Sequence, residues 1–310
     1  MQSIHLGTSN LSVSRIAYGC MRIAGTWNPS EITEEKKELG IQAIEAAYDA
    51  GIRFFDHADI YARGACESIF GEALRRHPKW RKKIVIATKC GIRFEGDPHP
   101  QSPHRYDFSA EHIYRSVEGS LARLGVSSID LLQLHRPDYL ADPEEIFKVF
   151  SKLKKEGIVH AFGVSNFRPR LVAAFRSNFD FPLLSHQVEI SLCHLESLEN
   201  GVLDQCLKQE MTPMAWGPLA GGALGDQAHS PDQSPLSTLH AVLDEVAASQ
   251  GITRSQTAVA WLLRHPSNII PVIGSTIPAR IGELAAATAV SLSREDWYRI
   301  LSAARGKPLE

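Results

Sequence analysis

Short apolar runs of strand length alternate with segments of helical period along almost the whole chain. The runs fall at 16–18, 53–56, 84–89, 129–135, 161–165, 184–189, 212–216 and 269–273. Between them, apolar positions recur with the spacing of an amphipathic helix at 33–50, 67–76, 110–124, 143–156, 169–178, 198–208, 236–249 with 255–264, and 278–288, and again at 294–304. Ahead of this series, Ile4, Leu6, Leu11 and Val13 alternate with polar residues about the turn-forming Gly7-Thr8-Ser9-Asn10, which predicts a hairpin. Runs such as IVIAT and DLLQL are apolar nearly throughout, the pattern of parallel strands covered on both faces. Eight strand-helix units sharing one core predict a (β/α)8 TIM barrel with an N-terminal β-hairpin. That fold takes about 250 residues, so residues 1–310 read as a single domain.

End signals support the register. Thr33 and Asp142-Pro143 cap two helix starts, and Gly51, Gly125 and Gly157 fall just past helix ends. Two Pro-rich polar insertions, 95–108 and 225–235, each follow a strand, so both are expected to rim the C-terminal face of the barrel, where such folds carry their chemistry.

Composition narrows the partners. Lys and Arg number 33 against 35 Asp and Glu, a net charge of −2, which argues against a nucleic-acid surface. No run approaches the length of a membrane span, and the opening MQSIHLGTSN has neither the basic flank nor the apolar stretch of a secretion signal. Cys20, Cys66, Cys90, Cys193 and Cys206 show no C-x-x-C pair or metal-ligand spacing, which reads as reduced thiols. The expectation is a cytoplasmic protein with no membrane, nucleic-acid or metal partner, and a monomer by default, since no heptad pattern marks an interface.

The predicted strand ends are unusually polar. They carry Asp56 followed by Tyr61, then Lys89, His135, Ser165-Asn166, Gln187 and Trp216. Polar groups at the edge of an apolar core are costly unless they meet each other or a ligand. A lysine cation beside Tyr61 would pull the phenol pKa down from about 10, with Asp56 holding the lysine charged. Tyr61 would then be a competent acid, and His135 would place a carbonyl oxygen against it. Taken alone, Lys89 also fits a structural ion pair or a Schiff-base lysine. His57, Asp59 and His135 would be metal ligands only with an H-x-H pair at a first strand, which is lacking. The run Lys79, Arg81, Lys82 and Lys83 reads as a solvated approach to the third strand.

The segments FFDHADIY, ATKCG, QLHRPD, GVSNF, HQVEIS, AWGPLAGG and PVIGSTIPAR, in this order, resemble the aldo-keto reductase family over nearly the whole chain. The resemblance implies an NADP(H)-dependent oxidoreductase, with Asp56, Tyr61, Lys89 and His135 matching the family's catalytic tetrad. It assigns Ser165, Asn166 and Gln187 to the nicotinamide carboxamide and Trp216 to stacking on the nicotinamide ring. Gly217, Pro218, Leu219, Gly221 and Gly222 match the loop along the pyrophosphate, and Gly274, Ser275, Arg280 and Glu283 match the clamp on the adenosine end. Two positions depart from the pattern: Gly274 stands where many relatives have lysine, and Leu284 where many have asparagine. Arg280 is still suited to a 2′-phosphate, so NADPH is expected ahead of NAD.

Met21, directly after the first strand, is expected to touch the cofactor. Trp27 on the same loop, near Arg22, is expected to touch the substrate. The reading is an NADPH-dependent reductase of a small aldehyde or ketone with Tyr61 as general acid. The alternatives are a cofactor-binding regulatory barrel without turnover and a Schiff-base aldolase acting through Lys89.

Overall fold

The computed structural model describes residues 1–227 and 236–308. In chain order the elements are β1 (Ser3–His5), β2 (Ser12–Ser14), β3 (Ala17–Gly19), α1 (Glu34–Asp49), β4 (Phe54–Asp56), α2 (Ala65–Arg76), β5 (Val85–Cys90), β6 (Ile92–Arg93), β7 (Arg105–Tyr106) and α3 (Ala110–Leu124). They continue with β8 (Ile129–Leu134), α4 (Pro143–Lys155), β9 (Val159–Ser165), α5 (Pro169–Arg176), β10 (Leu183–Glu189), α6 (Val202–Gln209), β11 (Thr212–Trp216), α7 (Ser237–Gln250), α8 (Arg254–Leu263), β12 (Ile270–Ile273), α9 (Pro278–Ala286) and α10 (Arg294–Arg305).

Strands β3, β4, β5, β8, β9, β10, β11 and β12 close into a barrel, each parallel to its neighbours. All eight predicted runs are therefore barrel strands, and the (β/α)8 expectation holds. The helix caps explain where the surrounding helices begin: Thr33 accepts from the Lys36 amide, Asp142 from the Glu144 amide ahead of Pro143, and Thr253 forms a reciprocal capping box with Gln256.

The pleat sorts the strand residues. Phe55, Ile86, Leu132, Phe162 and Val164 face outward into the helix layer, where the Phe150 and Phe162 rings stack at 4.0 Å. Inward, Ala17, Phe54, Ala87, Leu131, Ala161, Leu184, Met214 and Ile270 fill the lower barrel. The β1–β2 hairpin closes that end. Its Leu6 and Val13 join the interior cluster, and the Gly7 amide donates to the Thr212 hydroxyl at 2.8 Å. At the far end of the chain, the Trp261 and Trp297 rings stack at 4.9 Å, and each indole N–H donates to the other's carbonyl. This pair fastens α10 to α8.

The structure departs from the expected pattern in the insertions and at some boundaries. Part of 95–108 folds against the segment before it as a small hairpin, β6–β7, because the Arg93 guanidinium bridges Asp97 and Asp107. The second insertion, 225–235, lies largely outside the described residues. The helix expected at 198–208 begins at Val202, after a 3-10 turn at Glu196–Leu198 and a left-handed Gly201 with φ +85°.

Candidate active site

The inward stripe that is apolar low in the barrel turns polar two residues further up each strand. Phe54 gives way to Asp56, Ala87 to Lys89, Leu131 to Gln133 and Met214 to Trp216. Because every strand is parallel, these side chains arrive together at the C-terminal mouth. Period-two alternation, which fixes the core, therefore also assembles the site.

At its centre Lys89 is fully buried. Its Nζ donates to Asp56 Oδ2 at 2.7 Å, to the His57 carbonyl at 2.8 Å and to Tyr61 Oη at 3.2 Å. All three ammonium donors are thus satisfied, which lets a charge sit in the core. Burial works against that charge, but Asp56 and Tyr61 outweigh it, so the lysine pKa stands above its ordinary value. The other oxygen of Asp56 accepts from Gln187 Nε2 at 2.9 Å and from Gln133 Nε2 at 3.4 Å, while Ser185 donates to Gln133 Oε1 at 3.2 Å. Gln133 and Ser185 were not singled out from the sequence, although both sit on the inward stripe beside residues that were.

Tyr61 corrects one expectation. Its hydroxyl is held above the ordinary phenol value, because burial outweighs the lowering by Lys89, whose charge is already shared with Asp56. Lys89 moderates the phenol rather than acidifying it outright. His135 lies just past β8, with its ring 6.0 Å from that of Tyr61 at 80°. Burial first, then Lys89 and Arg136, hold the imidazole well below its usual pKa, so it is neutral. Its Nδ1 is buried without a partner.

The segment that delivers Tyr61 is strained. The next residues, Ala62, Arg63 and Gly64, have φ of +46°, +53° and +90°. A left-handed conformation costs a non-glycine residue about 1–2 kcal/mol. Below this segment the Asp59 carboxyl is pushed up to about 7, by burial first and then by Glu67.

The remaining expected residues lie on or directly after β9, on β10 and β11, on the loop after β3, and on the segments that follow β11 and β12. The Trp216 indole donates to Asn166 Oδ1 at 3.0 Å, and Asn166 Nδ2 donates to the His135 carbonyl and to Ser165 Oγ. One hydrogen-bonded chain therefore fixes the indole relative to His135. Gln187 has its amide nitrogen committed to Asp56, which leaves its carbonyl oxygen for other partners. The loop from Gly217 through Pro218 and Leu219 to Gly222 has left-handed φ at Gly217, Ala220, Gly221 and Gly222. Nothing lies within 4 Å of the side-chain positions of Gly221 and Gly222, so their backbone is open to close approach.

Pro278 starts α9, which has no side-chain cap, and Arg280 follows in its first turn, bonded to Gln227. A side-chain carbon at Gly274 would stand 3.7 Å from the Gly19 carbonyl, and Ser275 Oγ accepts from the Ile277 amide. Glu283 accepts from the Thr253 hydroxyl at 2.6 Å, which braces α9 against α8. Leu284 is buried in the helix layer. Met21 and Trp27 are exposed, and the Trp27 ring stands edge-on to Tyr61 at 6.2 Å. Arg136, whose guanidinium lies 5.9 Å from the Trp216 ring centre, was missed. Its place beside His135 in QLHRPD was the available signal.

Among the described residues, no group of three His, Cys, Asp or Glu side chains could hold a metal ion, and no helix is long and apolar enough to cross a membrane. A charged lysine, a phenol and a neutral imidazole at one mouth can deliver a proton to an oxygen held between them.

Comparison with known proteins agrees with this geometry. The 6-dehydroglucose reductase of Novosphingobium aromaticivorans is 40% identical, over 98% of this chain and 96% of its own. The 6-dehydroglucose reductase of Agrobacterium fabrum is 38% identical, over 99% of each chain. Among solved structures, the glycerol dehydrogenase of Gluconobacter oxydans superposes with a TM-score of 0.85 at 26% identity, covering 99% of this chain and 97% of its own. The profile described as the Aldo/keto reductase family matches residues 15–305. With the eight-stranded barrel and the Asp56–Lys89–Tyr61 cluster at its mouth, the chain belongs to the aldo/keto reductase family.

Proposed function

We propose that this protein is an NADPH-dependent carbonyl reductase that converts a small aldehyde or ketone to the alcohol. The observation that carries the reading is the Tyr61 hydroxyl held at 3.2 Å from a buried ammonium, with a neutral His135 across the mouth. Tyr61 donates its proton to the carbonyl oxygen, and Lys89 stabilises the phenolate left behind. Asp56 keeps Lys89 charged. His135 orients the oxygen toward Tyr61 without competing as a charge. Trp27, exposed beside Tyr61, is the substrate's outer contact. Holding the lysine as a paired cation works against the Schiff-base reading, which needs a free amine.

The residues present fit a nicotinamide dinucleotide. Trp216 offers a ring fixed through Asn166, which also bonds Ser165 Oγ, and Gln187 commits its nitrogen rather than its oxygen to Asp56. The open-faced turn at Gly221 and Gly222 suits a pyrophosphate. The uncapped start of α9 with Arg280 suits an anionic 2′-phosphate. Met21, Gly217, Pro218, Leu219, Gly274, Ser275 and Glu283 complete the groove. When bound, the reduced nicotinamide supplies a hydride to the carbonyl carbon.

The two relatives named 6-dehydroglucose reductase make a polyhydroxylated aldehyde the first substrate to assay. The test is calorimetric titration with NADPH and NADH, followed by turnover of wild type and Tyr61→Phe on such aldehydes. Tighter NADPH binding and a Tyr61→Phe variant that binds but turns over only at a small residual rate, about 10²- to 10⁴-fold below wild type, are the expected results. Unchanged turnover in Tyr61→Phe would return the regulatory reading.

A further inference from the structure

Glu67 and Arg123 belong to neither the proton-transfer cluster nor the cofactor groove, yet their geometry bears on Tyr61. Glu67 is fully buried in the first turn of α2. One carboxylate oxygen accepts from the Thr88 hydroxyl at 2.6 Å, and the other accepts from Arg123 Nε at 2.8 Å. Thr88 immediately precedes Lys89 on β5, and Arg123 comes from the last turn of α3. A carboxylate buried as completely as Glu67 costs desolvation even when it is paired with a half-buried arginine, and the pair is weak evidence of stabilisation by itself.

The pair adjoins the strap between β4 and α2, which carries Tyr61 in left-handed backbone from Ala62 to Gly64. The strap's first half is tied to β5: the His57 amide donates to the Ala87 carbonyl, the Asp59 amide to the Lys89 carbonyl, and Lys89 Nζ to the His57 carbonyl. Its second half ends at Gly64. A side-chain carbon there would stand 2.7 Å from both Cδ and Nε of Arg123, so the arginine stem lies directly on that backbone. Glu67 holds the stem in place and, through Thr88, anchors it to the strand that bears Lys89. Non-glycine residues stay in the left-handed region only where their surroundings over-determine them, and the Arg123 stem is one contact laid on this turn.

We propose that the Glu67–Arg123 pair is a positioning clamp that keeps the Tyr61 hydroxyl within hydrogen-bond reach of Lys89. The inference rests on the reading of Tyr61 as the proton donor. Neither residue touches the reacting atoms; the clamp acts through the backbone of 62–64, and the pair also faces the Asp59 carboxyl on the same strap.

The experiment compares two backgrounds, wild type and Tyr61→Phe. The double variant Glu67→Gln/Arg123→Met removes both charges at once and so leaves no unpaired ion in the core. It is measured alone and combined with Tyr61→Phe, with NADPH and 4-nitrobenzaldehyde as the assay pair, after a thermal melt confirms folding. The expected result is a kcat lowered about 10- to 100-fold, the loss typical of a misplacement near 1 Å, with KM and the NADPH dissociation constant little changed. In the Tyr61→Phe background the same substitutions are expected to cost nothing further. A folded double variant with kcat close to wild type overturns the proposal, and so does an equal loss in both backgrounds, which marks general damage.

If the double variant does not fold, Arg123→Ala, which takes the stem off the Gly64 backbone, is judged by the same two criteria. A crystal structure of whichever variant folds gives a readout independent of turnover. A Lys89–Tyr61 separation beyond about 3.5 Å supports the clamp, and one unchanged from 3.2 Å overturns it. Absence of any NADPH-dependent turnover in wild type would sink the activity reading, while the crystal structure would still decide the clamp.

Discussion

Replacing Lys89 by Met separates the two tasks the lysine performs. The substitution nearly keeps the side-chain volume and removes three hydrogen bonds, to Asp56, to the His57 carbonyl and to Tyr61. Asp56, 2% exposed, then keeps only the Gln187 and Gln133 amides. Breaking a buried pair from one side costs about 3–5 kcal/mol, which a domain of ordinary stability survives. For the chemistry, burial and the neighbouring Asp56 then raise the Tyr61 hydroxyl unopposed, and the phenolate formed on proton donation has no counter-charge. Loss of a general acid's support typically costs about 10²- to 10⁴-fold in rate, or roughly 2.7–5.5 kcal/mol.

The assay combines turnover at saturating NADPH, urea unfolding and an NADPH titration. Lys89→Met is expected to lose both stability and kcat while NADPH affinity stays nearly intact. Lys89→Met/Asp56→Asn, which leaves no unpaired charge, is expected to recover much of the stability and none of the rate. A kcat within about tenfold of wild type, or one restored in the double variant, would refute the role given to Lys89.

Arg280→Ala is expected to weaken NADPH much more than NADH; an equal effect, measured by titration, would remove Arg280 from the 2′-phosphate. The Asp59 carboxyl titrates near 7 in the folded chain against an ordinary 3.8, so the folded state holds a proton that the unfolded state releases, and stability falls as pH rises through that window. Asp59→Asn should therefore gain on wild type by about 1.4 kcal/mol per pH unit, roughly 4 kcal/mol by pH 7; urea midpoints that track wild type from pH 4.5 to 7 would count against it. His57 has the opposite sign. It is fully buried with both ring nitrogens unpartnered, and burial with Lys89 lowers its pKa to about 3. The unfolded state thus takes up a proton below about 6.5 that the folded state refuses, and stability drops as pH falls. His57→Leu should outlast wild type by about 2 kcal/mol more at pH 5 than at pH 7.5, read from urea midpoints at the two values.

The barrel was legible because its signals are local and repeat. Apolar runs such as IVIAT and DLLQL, caps such as Thr33 and Asp142, and stops such as Gly125 each constrain a few residues, and parallel closure orders the rest. The polar strand ends were legible for the same reason: Asp56, Lys89, Gln187 and Trp216 lie in phase with the apolar residues below them. What periodicity does not carry is the pairing of side chains between elements. Gln133 and Ser185 support Asp56, and Arg123 meets Glu67 across 56 positions of sequence, contacts that only closure of the barrel creates. The Tyr61 hydroxyl shows a second limit. Its neighbours were read correctly, but the balance between burial and one shared cation depends on depth, which a sequence does not display. Leu284 is a third case, since its apolar character reflects packing inside α9.

The stacked indoles of Trp261 and Trp297 have an optical consequence. Both are held away from the mouth, and Trp80 lies between the Tyr48 and His77 rings at 4.0 and 4.1 Å. Three of the five tryptophans therefore contribute emission that ligand binding leaves constant. The light that changes comes from Trp27 and Trp216, one in solvent and one tethered to Asn166. Intrinsic fluorescence of this protein is thus a two-channel reporter on a fixed background, in which Trp27→Phe and Trp216→Phe silence the two sides of the mouth separately.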